Sequence, residues 1–148
     1  MKLSKNKNYL NAEILRVKGD ISSALNAMLL CLKDAQKEPD IEPSTLSFLF
    51  QRLGELRYLN NEKDLAFDLF EKSIETHKNS LITELNYAKF LANLCYDYQK
   101  ALDKCDFIIN TVTSYSYIEP ENTPSIDYFI ENATELKNEC LEKLEHFE

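Results

Sequence analysis

Glycine is almost absent from this chain. Gly19 and Gly54 are the only two in 148 residues, beside four prolines. All-β folds consume glycine, proline and Asn-Gly pairs in their tight turns. Loops that cradle phosphates or dinucleotides also need glycines in a short run. Two isolated glycines argue against all of these classes. Valine and threonine are scarce too, and no segment alternates cleanly over six residues. The one β-prone stretch, Phe107 to Val112, continues the apolar stripe Ala101, Leu102 and Cys105, so its position favours helix.

Helical periodicity recurs throughout. It predicts seven helices, at about 4–17, 21–36, 45–59, 63–78, 81–95, 98–112 and 124–146. Asp20, Ser44, Asn61, Ser80, Asp97 and Thr123 each precede an apolar-periodic run. Their side-chain oxygens can accept the orphan backbone N–H groups of a first helical turn. Pro124 would then stand at a first helical position, where its missing donor removes nothing. Short loops between paired helices force antiparallel neighbours. Two connectors break the rhythm: residues 38–43, acidic with Pro39 and Pro43, and residues 113–124, which carry Tyr115 and Tyr117. Neither has the length or composition of an interdomain linker. The expectation is one all-α domain over residues 1–148.

The helices repeat. Residues 47–80 carry Phe50-x-x-Leu53-Gly54, then Ala66-x-x-x-Phe70, then Ser73. This resembles the tetratricopeptide signature of a bulky aromatic, Leu-Gly, an alanine twelve residues later and an aromatic four beyond. The spacing has a mechanism. Gly54 and Ala66 would let two helices approach closely, and Phe50 and Phe70 would fill the space around that contact. Arg57 and Lys78 depart from the pattern's tyrosine and proline. A fainter copy follows: Tyr87 and Ala88 lie 34 residues after Leu53 and Gly54. Ala101, Cys105 and Ile108 match Ala66, Phe70 and Ser73 at a shift of 35, which asks for a turn one residue longer at Cys95 to Tyr98. Ala24, Met28 and Cys31 match them from the other side, with residues 39–44 absorbing the excess spacing. The resemblance covers roughly residues 5–113 and implies units at about 5–38, 47–80 and 81–115. It implies a right-handed superhelical stack of about three antiparallel helix pairs. Ile126, Phe129, Ile130, Ala133, Leu136, Cys140, Leu141, Leu144 and Phe147 form one stripe on the last helix, 124–146. That stripe suits a cap on the open end of the stack, or else an interface.

In tetratricopeptide arrays the first helix of each pair lines a groove that holds a peptide or protein segment. Carrying that register over places Tyr9, Glu13 and Arg16, then Gln51, Arg52, Glu55 and Tyr58, then Asn86, Lys89 and Asn93 on the groove. Co-chaperones of this family that grip a chaperone's C-terminal carboxylate use two lysines, two asparagines and an arginine. Here those positions hold Tyr9, Glu13, Arg52, Ile82 and Asn86, so the clamp is missing. The formal net charge of −8 opposes nucleic acid and favours a basic partner. Alternatives to the adaptor or chaperone reading are an acidic immunity- or inhibitor-type protein masking a basic enzyme, and an enzyme with an unrecognised site. The two histidines, His77 and His146, form no ligand set with the cysteines or carboxylates, so no metal, cofactor or catalytic residue is expected. No apolar run approaches a membrane span. The N-terminus is basic without an apolar core to follow, and the four cysteines form no Cys-x-x-Cys pair. A cytoplasmic monomer or homodimer with free thiols is the expectation.

Overall fold

Helices start and stop here where local side chains and backbone conformation dictate. The computed structural model describes residues 1–120 and 123–146. Among the described residues are seven α-helices, a short 3-10 turn at Leu3–Lys5 and no strand. The helices are α1 (Lys7–Val17), α2 (Ile21–Gln36), α3 (Pro43–Leu59), α4 (Lys63–Thr76), α5 (Leu81–Asn93), α6 (Tyr98–Val112) and α7 (Ile126–His146). The fold is all-α, as the periodicity predicts. Asp20, Ser80 and Asp97 cap α2, α5 and α6, each accepting from the backbone N–H three residues on.

The other expected caps are not the ones used. α3 begins at Pro43, ahead of Ser44, with proline in the turn that has no use for its N–H. α4 follows Glu62, because Asn61 sits in the left-handed region at φ 64° and cannot adopt the extended backbone of a cap. α7 begins at Ile126, and the Ser125 hydroxyl, not Thr123, accepts from the Tyr128 N–H. The Thr123 hydroxyl instead donates to the Pro120 carbonyl.

The turns inside the three helix pairs share a backbone signature. Gly19, Asn61 and Tyr96 all have positive φ, at 83°, 64° and 55°. Each is followed by a residue of nearly constant conformation: Asp20 (φ −83°, ψ 76°), Glu62 (−108°, 63°) and Asp97 (−91°, 76°). The next helix then begins at once. In the first two turns a Schellman closure brings the Asp20 N–H to the Leu15 carbonyl at 3.0 Å and the Glu62 N–H to the Arg57 carbonyl at 2.9 Å. The third turn holds one more residue, and the Asp97 N–H reaches back to the Leu91 carbonyl at 2.8 Å. That is the longer turn which the 35-residue shift asks for.

The chain divides into two compact units, Met1–Asn79 and Ser80–Glu148. In the first, α1 packs on α2, α2 on α3 and α3 on α4. Its core includes Ala12, Leu25, Met28, Leu49, Leu53 and Leu56. The α3–α4 contact is closest at Gly54. A Cβ built there would lie 2.7 Å from the Phe70 ring and 3.2 Å from the Ala66 carbonyl oxygen. The pair thus approaches through a missing side chain, with the buried Phe70 ring lying over it. In the second unit α5 packs on α6, and α7 packs on both. Phe129, Ala133, Leu136 and Cys140 on α7 are buried, Ile126, Ile130 and Leu144 half-buried and Leu141 exposed. Phe147 lies outside the described residues. Ala24, Met28 and Cys31, Ala66, Phe70 and Ser73, and Ala101, Cys105 and Ile108 are all fully buried, so the three second helices use the same register for their cores.

Candidate interaction surface

In the first unit α1 and α3 meet through side chains. The Arg16 guanidinium holds Glu13 Oε2 at 2.8 Å, one turn along α1. Glu13 Oε1 faces Arg52 Nε on α3 at 3.4 Å. Arg52 donates in turn to Glu55 Oε2 at 3.1 Å and lies 5.1 Å above the Phe48 ring. Tyr9 completes the cluster with its ring 6.3 Å from Phe48. Helical spacing explains the assembly. Tyr9, Glu13 and Arg16 recur at i, i+4 and i+7 on one side of α1, and Phe48, Arg52 and Glu55 do the same on α3.

The cluster is half-buried and imperfectly satisfied. Glu13 Oε1 and Arg52 Nε attract one another, yet neither has an aligned hydrogen-bond partner. Burial pushes the Glu55 carboxyl above its ordinary range, against the pull of Arg52. Burial, and then the Glu13 carboxylate, also raise the Tyr9 phenol. Such a surface offers guanidinium donors, carboxylate acceptors and two aromatic faces within one patch. That chemistry can grip a polypeptide's amides and charged side chains.

Of the ten residues expected on a groove, Tyr9, Glu13, Arg16, Arg52 and Glu55 come together here. Gln51 is buried at 4% exposure and offers no open surface. Tyr58 turns toward α4, edge-on to Phe67, with the Lys63 ammonium 5.5 Å from its ring centre. Phe48 was missed. Its place four residues before Arg52 was the available signal.

Asn86, Lys89 and Asn93 belong to the second unit, on one side of α5. Asn86 and Lys89 are half-buried and Asn93 is exposed. Asn93 edges a cavity of about 210 Å³ among α5, the turn after it and α7. This unit also carries the charge. Residues 80–148 hold five basic and 13 acidic side chains, a net −8, whereas residues 1–79 hold 12 of each.

Cys31, Cys105 and Cys140 are buried free thiols, and Cys95 is half-buried. Burial pushes Cys31 up to about 11 and Cys105 up to about 12, with Cys140 adding to the latter. Neither is a poised nucleophile. Among the described residues no group of three histidines, cysteines or carboxylates is placed to hold a metal, and no helix is long and apolar enough to cross a membrane. Comparison with protein-family models gave no match, and neither did comparison with curated proteins or with solved structures.

Proposed function

We propose that the chain is a tetratricopeptide-like stack of helix pairs acting as a non-enzymatic adaptor or chaperone, which holds a polypeptide segment on the α1 and α3 face. The observation that carries this reading is the Glu13–Arg52 contact with its misaligned atoms. Half-buried ion pairs of this kind are weak sources of stability, because desolvation offsets their attraction. A cluster of six charged and aromatic groups is better accounted for as a recognition surface. The shared turn conformation and shared core register of the three pairs support the repeat. α7 then covers the last pair as a capping helix. The test is affinity capture from the native source with the intact chain and with a Glu13→Gln, Arg52→Gln variant matched for melting temperature. The expected result is that a specific partner is lost with the variant and kept with Asp68→Asn on the exposed side of α4. Equal retention by all three proteins would sink the reading.

The charge distribution favours a second reading, an acidic immunity- or inhibitor-type protein that masks a basic enzyme. All the net charge lies in the second unit, so that unit is the surface such a partner would meet. Association would then be fast and would weaken steeply with salt. Binding unchanged between low and physiological salt would exclude it.

A further inference from the structure

Tyr96 is the anomaly among the three pair-internal turns. Left-handed backbone is easy for glycine and tolerable for asparagine, and the first two turns use Gly19 and Asn61. The third places a bulky aromatic at φ 55°. For such a residue this conformation is strained. Burial does not compensate, since Tyr96 is 68% exposed. Its ring meets Tyr98 at 6.4 Å, tilted by 50°. Both rings line the cavity of about 210 Å³ in the second unit. Ala92 and the buried Cys140 contribute its apolar lining, and Asn93, Glu139 and Lys143 its polar groups. Glu139 and Lys143 sit one turn apart on α7, and neither is paired with another charged side chain among the described residues. The cavity therefore has aromatic walls, a carboxylate and an amide, on the unit that carries the whole net charge of −8.

We propose that this cavity binds an arginine side chain of a basic partner polypeptide. A guanidinium stacks on tyrosine faces and pairs with a carboxylate in the same plane. Its aliphatic stem suits the Ala92 and Cys140 lining. The volume exceeds the roughly 150 Å³ of a cavity that admits benzene, so one long side chain fits. Lys143 opposes a cation, but it is exposed on a flexible stem, and α7 carries six acidic residues against two lysines. The site deepens the basic-partner reading and rests on it. It accounts for tyrosine, rather than glycine or asparagine, at position 96.

The experiment is a titration of the full chain with acetyl-Gly-Arg-Gly-amide, followed by backbone and tyrosine-ring NMR. The matching phenylalanine and glutamate peptides serve as comparators. The arginine peptide is expected to shift Asn93, Tyr96, Tyr98 and Glu139 saturably. Glu139→Gln and Tyr96→Asn are each expected to weaken it about five-fold, and Lys143→Gln to tighten it about two-fold. Tyr96→Asn is also expected to melt no lower than the wild type, because asparagine relieves the backbone. Tighter binding of the phenylalanine or glutamate peptide at these residues would overturn the proposal, as would weaker arginine binding in Lys143→Gln. A melting temperature lowered by Tyr96→Asn would make the ring a packing residue and overturn it too. Arginine shifts scattered over the acidic unit, without saturation here, would overturn the cavity and leave the basic-partner reading standing. No arginine binding anywhere would count against both.

Discussion

A methyl group on Gly54 would come within 2.7 Å of the buried Phe70 ring. Alanine is the better helix former by about 1 kcal/mol, but overpacking a tight core costs about 1–3 kcal/mol. Here packing decides, because the ring has no room to retreat and the Ala66 carbonyl stands beside it. Gly54→Ala should destabilise the chain by about 1–2 kcal/mol in urea unfolding. In a Phe70→Leu background the same change should cost less, since the two sites share one contact. Equal costs in both backgrounds would place the effect elsewhere. Glu55 makes a second prediction at this scale. Its folded pKa is raised, chiefly by burial, so its protonated form favours folding. That contribution is fully present below the unfolded glutamate value and is lost as pH rises through the folded one. Wild type should therefore gain stability relative to Glu55→Gln as pH falls from about 7 to about 4. Urea midpoints of the two proteins measured in parallel check the sign.

Helix ends are where side chains make separable contributions. Asp20 and Asp97 each accept a backbone N–H at the start of a second helix, whereas Glu62 in the corresponding place makes no such bond. Glu62 turns instead to Arg57 and Asn60, at 2.8 and 2.6 Å. Asp20→Ala and Asp97→Ala should each cost about 1 kcal/mol in thermal unfolding, and Glu62→Ala less, through a lost surface ion pair. A Glu62→Ala cost as large as the others would contradict the cap geometry. The elements themselves were legible in the sequence because the apolar period is strong and the punctuation is polar. α2 and α6 have the expected bounds. The misassigned caps share a cause. Ser44, Asn61 and Thr123 are all good cap residues by composition, and backbone conformation decided among neighbours. Asn61 was taken up by the left-handed turn, and Ser125 lay closer to the first apolar residue of α7 than Thr123. On the interaction face, the register carried over from the tetratricopeptide resemblance placed Glu13 and Arg52 on first helices of neighbouring pairs. It did not reveal that Gln51 is buried or that Tyr58 turns to Phe67 on α4, because those outcomes depend on how the helices pack.

At the scale of the whole molecule, charge is distributed unevenly. Met1–Asn79 is neutral and Ser80–Glu148 carries the entire −8. Like charges crowd the second unit and weaken it, and salt screens that repulsion over about 10 Å at 0.1 M. Raising ionic strength should slow amide hydrogen exchange in α5 to α7 more than in α1 to α4, read unit by unit. Equal changes in both units would show that the acidic side chains are too dispersed to repel. Packing within each unit has another consequence. Every helix rests on one that lies next to it, or next but one, along the chain. No contact within α1 to α4 has to wait for residues far downstream. Helical arrangements of this low contact order fold in about microseconds to milliseconds, while ribosomes add about 5–20 residues per second. The neutral first unit can thus complete its core while the acidic remainder is still being translated, so the nascent chain never has to hold both halves unfolded at once.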